Sequence, residues 1–247
     1  MKIVCYEPTW EGFLTGIFEA FARKKEGIHL CPQGRESNTT LFECEWLGSD
    51  PARAARVEAG LRRLGGNVTE TVYNAWLSEL DDIEDTIAEV LRMGFAENVN
   101  PLINRTNPSV AKLIKIANAV GWESHRMLQF VRFVCTPEGV YVADISTEYN
   151  VLTLIAEHFH GRFNDQRLII RDVRRRAALV SDRDGWYIQA LPDGALPPLP
   201  EDGMFEDLWK NYFKVIANPA RINTKLQQQF IPKRYRRFLT EFLPGKG

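Results

Sequence analysis

The sequence predicts an α+β fold: a helical amino-terminal region packed with an antiparallel sheet module, then carboxy-terminal helices. Three observations lead there. Between residues 50 and 130 apolar side chains recur at helical spacing, separated by strong start and stop signals. From about residue 130 to 189 the pattern changes to short β-branched and aromatic runs broken by turn residues. One amphipathic stretch, 151–163, interrupts those runs, so the order reads strand-strand-helix-strand-strand-strand.

Residues 2–6 read as a short strand. Residues 10–24 form a helix with Phe13, Leu14, Ile17, Phe18 and Phe21 on one side, and Thr9 is placed to cap it. The stretch 27–49 is irregular around Pro32 and Gly34, with short apolar pieces suited to edge strands. Asp50 and Pro51 supply an N-cap and an N1 proline for a helix that runs to Leu64 and stops at Gly65-Gly66. A short helix covers 69–78. A longer one, 82–98, carries Ile83, Ile87, Val90, Leu91 and Phe95. Its acidic start (Asp81, Asp82, Glu84, Asp85) complements the helix dipole, which favours helix-start chemistry over a metal site. Asn107-Pro108 opens the next helix, with Val110, Leu113, Ile114, Ala117 and Val120 inward.

Strands at 130–134 and 140–145 meet around Pro137 and Gly139, a hairpin signal. After the 151–163 helix come strands at 167–170, 177–180 and 186–189, the last two joined by the turn 182–185. Residues 192–203 are rich in proline and glycine and read as a linker; helices are expected again at 205–217 and 233–242. The implied organisation is 1–126 mainly helical, 127–191 an α+β module, 192–203 a linker and 204–247 a basic helical tail packed on the rest.

Composition sets the class. The chain has 247 residues, 45% of them hydrophobic, and a net charge of −1, which excludes general disorder. No run approaches the roughly 18 apolar residues of a membrane span. The first residues, from Met1 to Glu7, lack the apolar core of a secretory signal. A soluble, cytoplasmic protein is expected. Cys5, Cys31, Cys44 and Cys135 form no C-x-x-C pair, and buried, inert thiols are expected.

The small net charge conceals an asymmetry. Residues 1–100 hold 10 Lys/Arg against 17 Asp/Glu, whereas 101–247 hold 21 against 15. A basic carboxy-terminal half suits an anionic partner such as nucleic acid, or a docking face for the acidic half. No dinucleotide fingerprint, phosphate loop, nucleophile elbow or zincin motif occurs. His158 and His160 form the one close histidine pair; on a helix their i, i+2 spacing points them apart, so no metal is expected there, nor any cofactor.

The basic candidates fall in three groups. His125-Arg126 lies just before the sheet with Arg132 beyond it, suited either to phosphate or to a helix carboxyl end. Arg174, Arg175 and Arg176 sit between two strands, where an extended chain would let the outer two follow a phosphate backbone and a turn would leave them solvated. Lys233, Arg234, Arg236 and Arg237 surround Tyr235, a mixture of backbone charge and base stacking, or else an aromatic anchor with snorkelling charges.

Taken together, several segments resemble a bacterial family assigned to DNA metabolism. They are His125-Arg126, the run 130–133, the run 149–152, His158-Phe159, Arg162-Phe163, Asp165-Gln166 and Asp172. Further on come 208–210, Tyr212-Phe213, Ile216, the run 219–223 and the run 232–235. The resemblance covers nearly the whole chain. It implies a role beside a radical-SAM protein of DNA modification or repair, since that family's genes adjoin one, and its domain also occurs fused to uracil-DNA-glycosylase-like proteins. This chain has neither a glycosylase segment nor a radical-SAM cysteine triplet, so that chemistry would belong to a partner. Within the matching segments Arg162, Arg221 and Asn223 join the candidate DNA-contacting residues.

Three functions follow. The first is a DNA-binding accessory protein, working with a radical-SAM partner, whose affinity falls steeply with salt. The second is an enzyme on a damaged base or nucleotide, with His125, His158, Asp165 and Asp172 as general acid–base candidates and Asn150 and Gln166 reading a base edge. Asn150 also stands where a helix cap is needed. The third is a scaffold that binds only protein.

Overall fold

The computed structural model describes residues 2–35, 44–137 and 139–191, with Tyr235 and Phe238. The expected helices at 205–217 and 233–242, apart from those two residues, lie outside this set. The chain divides into two compact units, Met1–Gly121 and Trp122–Gly247. Both helices and sheets are present, in an α+β architecture. Among the described residues no helix is long and apolar enough to cross a membrane.

The first unit is built on a three-stranded parallel sheet. Strand β1 (Lys2–Tyr6) lies at its centre, between β2 (Ile28–Pro32) and β3 (Cys44–Leu47). The apolar pieces in the irregular stretch are thus edge strands, and the expected opening strand is central. Helices α1 (Trp10–Ala22), α2 (Pro51–Leu64), α3 (Val68–Trp76) and α4 (Ile83–Glu97) follow, then α5 (Pro108–Phe130), which continues into the second unit. Their inward residues, including Phe13, Ile17, Leu61, Ile87, Leu91 and Leu113, form one apolar core with Val4, Tyr6 and Leu30 of the sheet.

Local chemistry sets the helix starts. The Thr9 hydroxyl accepts from the Gly12 amide at 3.0 Å, and Asp50 accepts from Ala52 and Arg53. Asn107 accepts from Ser109 and Val110 at the head of α5. At Gly12 the backbone leaves no room for a side chain: a Cβ there would run into the Glu7 carbonyl oxygen. Gly12→Ala is expected to destabilise the protein by about 1–3 kcal/mol, because a backbone atom rather than a flexible side chain must move. Urea denaturation checks this, and an unchanged midpoint would contradict it.

The expected separate thiols are not what the structure holds. Register places Ile3 opposite Cys44 and Cys5 opposite Trp46, so Cys5 and Cys44 are diagonal neighbours on one face of the sheet. They form a disulfide with Cα atoms 6.0 Å apart. Sequence spacing held no sign of it, since the two cysteines are 39 residues apart and meet only through strand pairing.

The second unit carries a five-stranded sheet in the order β4-β5-β6-β7-β8: β4 (Val134–Cys135), β5 (Val140–Ile145), β6 (Arg167–Asp172), β7 (Ala177–Asp182) and β8 (Gly185–Ala190). Helix α6 (Leu152–Arg162) joins β5 to β6. Two expectations are corrected. The sheet is mixed, not antiparallel: β5 and β6 pair parallel, because α6 carries the chain back to the end where β5 began. The segment expected as a first strand from residue 130 is still helical at Phe130, and pairing begins only at Val134.

Candidate functional site

A cleft of about 320 Å³ opens in the first unit, with His29, Cys31, Arg35, Asp81, Asp82 and Glu84 among its lining residues. His29 stands on β2 opposite Ile3, on the face that also bears the disulfide. The start of α4 supplies the acids. The His29 Nδ1 is 2.6 Å from Asp85 Oδ2. With Asp82, their polar atoms all lie within 4.8 Å of one another. Glu84 and Asp85 occupy the first turn of α4, as dipole logic expects. Asp82 does not follow that logic: it is the N-cap residue, yet its side chain caps nothing and its φ is +59°.

Behind this cluster lies a buried polar chain. Tyr6 donates to Glu84 Oε1 at 2.8 Å, and the Trp76 indole donates to the Tyr6 oxygen at 3.1 Å. Glu84 is 5% exposed. Burial pushes its carboxyl above the ordinary range, and burial together with the nearby Glu84 charge raises the Tyr6 phenol as well. The phenol therefore stays protonated and keeps donating.

In the second unit Asp172 is fully buried. Its carboxylate accepts the backbone N–H groups of Arg174 and Arg175 at 3.0 and 3.2 Å, and pairs with the Arg175 guanidinium at 3.0 Å. The residues after β6 form a turn, not an extended strand. Arg174 and Arg175 reach from it to the carbonyls of Thr147 and Glu148, ahead of α6. Arg176 adopts a left-handed conformation, φ +52°, half-buried in the same turn. The extended conformation that would align Arg174 and Arg176 is corrected to the alternative, a turn, in which Arg174 stays exposed while Arg175 is half-buried. Arg171 likewise holds Asp144 through two bonds of 2.5 and 2.9 Å.

The other acid–base candidates are dispersed. His125 is exposed on α5 beside Gln129 Nε2 at 3.1 Å, and His158 is exposed on α6 with its ring edge-on to Phe159. Asp165 is exposed between α6 and β6, its carbonyl accepting from Arg183. No hydrogen bond joins any two of His125, His158, Asp165 and Asp172, and Asp172 has no surface to offer a substrate. Asn150 is half-buried just ahead of Val151, the N-cap of α6. Gln166 is half-buried, and its amide donates to the Phe163 carbonyl at 2.8 Å. His160 turns away from His158 to Ser181 Oγ, 2.8 Å away.

Arg126 is exposed on α5, whereas Arg132 folds back onto the carbonyls of Gln129 and Val131 as a cap for that helix. Arg162 is exposed in the last turn of α6. Tyr235 is buried, its ring against Phe130 and its hydroxyl donating to Glu123, so this aromatic is an anchor rather than a stacking surface. Arg221, Asn223, Lys233, Arg234, Arg236 and Arg237 lie outside the described residues.

One surface was only half visible in the sequence. Trp122, His125, Arg126 and Gln129 follow one another at i, i+3, i+4 and i+7, so they share a face of α5, and all four are exposed. Trp122 is 65% exposed. The carboxylate of this stretch, Glu123, is turned inward, where it accepts the Glu148 and Tyr149 amides at 3.0 and 2.7 Å. The face thus combines an indole, an imidazole, a guanidinium and an amide without an acid.

A family model described as a domain of unknown function, DUF4130, matches residues 81–241. No protein of curated function matches the chain. Among solved structures, a DHH-domain chain described as a member of a family of ribosomal proteins aligns at 11% identity over 72% of each chain, with a TM-score of 0.29.

Proposed function

The chain belongs to the DUF4130 family, and from that premise we propose that it is a DNA-binding accessory protein of DNA repair or modification that works with a radical-SAM partner. The observation that carries the reading is the exposed face of Trp122, His125, Arg126 and Gln129 on α5. An exposed indole beside a cation, with Glu123 of the same turn facing inward, suits base stacking together with phosphate contact. In the sequence, residues 204–247 carry 9 Lys/Arg against 3 Asp/Glu. The motif resemblance supplies the choice of DNA and of the partner; its segments from Asp165 back to His125 and on to Tyr235 fall inside the matched region.

Binding of the full chain to fluorescently labelled single- and double-stranded DNA tests this. Trp122→Ala removes a stacking surface worth about 1–3 kcal/mol per base and is expected to weaken binding about 5- to 150-fold. Arg126→Ala is expected to weaken it uniformly across sequences and to lower the salt slope by about 1. Wild-type affinity in both variants would show that this face is not the interface.

A second reading, an enzyme acting on a damaged base or nucleotide, is favoured by His29, which lines the cleft and pairs with Asp85, rather than by the four acid–base candidates of the second unit. Turnover of a modified nucleotide abolished by His29→Ala would support it.

A further inference from the structure

We infer that His29 and Asp82, which line the cleft of the first unit, form with the adjacent Asp85 a binding site for a divalent transition-metal cation. The three come from two elements, an imidazole from β2 and two carboxylates from the start of α4, and only the packing of sheet on helix brings them together. Ligands to one such ion sit about 2.0–2.2 Å from it, so no two can be more than about 4.4 Å apart. The donor atoms here lie within 4.8 Å of one another, and Asp82 and Asp85 are exposed side chains that close that gap by rotation. His29 Nδ1 and Asp85 Oδ2, now in contact at 2.6 Å, would move apart to about 3.4 Å to flank one tetrahedral ion, which rotation of the exposed Asp85 side chain allows.

Charge supplies an independent argument. Apart from the buried Glu84, held by Tyr6, Asp81, Asp82 and Asp85 gather within five residues, more negative charge than the roughly half-unit positive end of α4 can balance. Arg35 lines the cleft, pairs with Glu79 at 3.2 Å and also acts electrostatically on Glu84, which leaves Asp81, Asp82 and Asp85 as the acids it is not paired with. Asp82 is also the N-cap residue that declines to cap, which leaves its carboxylate available. One nitrogen and two oxygens suit zinc, manganese or iron(II) better than calcium, which takes oxygens, or copper(I), which takes sulfur. Three protein ligands beside an open cleft would leave coordination positions for water or a ligand.

Cys31, which is outside the disulfide, lines the same cleft, so the test must separate its sulfur from these donors. Cobalt(II) does so, because thiolate ligation produces an intense near-ultraviolet charge-transfer band and nitrogen–oxygen ligation does not. Titrating the full chain with cobalt(II), and then displacing it with zinc, is expected to show one saturable equivalent with weak visible bands alone. Asp85→Asn and His29→Ala should each weaken binding at least tenfold, and Cys31→Ser should leave it unchanged. Asp82 is exposed, so Asp82→Asn keeps the fold and carries the test should the His29 variant unfold; it too should lose at least tenfold. Absence of saturable binding, wild-type affinity in Asp82→Asn and Asp85→Asn, or a thiolate band abolished by Cys31→Ser would each overturn the assignment. No DNA is present in the titration, so its outcome is independent of the DNA-binding proposal.

Discussion

Replacing Asp172 by alanine is expected to cost about 3–5 kcal/mol of stability, the scale for breaking a buried ion pair from one side. The carboxylate is fully buried, and four groups depend on it: the Arg174 and Arg175 amides, the Arg175 guanidinium and the Thr147 hydroxyl, 3.2 Å away. Removing it leaves a guanidinium with 11% side-chain exposure and two backbone donors without their acceptor. Because Arg175 also reaches the Thr147 and Glu148 carbonyls, the loop before α6 should loosen with the turn after β6. Asp172→Asn keeps one acceptor and should cost less. Urea denaturation measures both, and a loss below about 1 kcal/mol for alanine would show that the carboxylate does not organise these loops. A catalytic Asp172 predicts the reverse, lost activity with stability kept.

Tyr6→Phe carries the second large effect, about 1–3 kcal/mol, since it leaves the Trp76 indole and the buried Glu84 carboxyl without their shared partner. Glu84→Gln retains an acceptor for the phenol and separates charge from hydrogen bonding. Burial raises the Glu84 carboxyl pKa in the folded protein, so the native state holds its proton more tightly than the unfolded chain does. The stability this supplies is complete below the ordinary carboxylate pKa of about 4.3 and is lost as pH climbs through the raised value. The glutamine variant lacks that slope. Its stability relative to wild type should therefore increase as pH rises across that window, read from urea midpoints at successive pH values. A constant difference would mean that Glu84 ionises alike in the folded and unfolded chains.

Features decided by neighbouring residues were legible in the sequence. Thr9, Asp50 with Pro51, and Asn107 start helices where their chemistry says they should, and the β4–β5 hairpin and the turn between β7 and β8 follow from their turn residues. Strand direction was not legible. Runs such as 140–145 and 167–172 carry no mark of whether they pair parallel, and only the crossover through α6 decides it. The same limit hid the Cys5–Cys44 bridge and the His29–Asp85 contact, since no local spacing joins residues 39 and 56 positions apart. The conformation of 174–176 was not legible either: a basic run between two strands does not show whether it is extended or turned until the carbonyls that Arg174 and Arg175 reach are placed beside it. Trp122 had a signal that periodicity could have found. It falls off the stripe of Val110, Leu113, Ala117 and Val120, so the helical pattern itself sends that indole to solvent beside His125 and Arg126.

The most direct test of the central claim is the equilibrium affinity of the full chain for labelled DNA, followed by fluorescence anisotropy as salt is raised from about 50 to 200 mM. A DNA-binding accessory protein predicts a log–log slope of about −0.7 to −0.9 for each phosphate neutralised, and so a steep loss of affinity across that range. No binding at the lowest salt, to either single or double strands, would contradict it and leave the protein to act through a protein partner or on a small nucleotide.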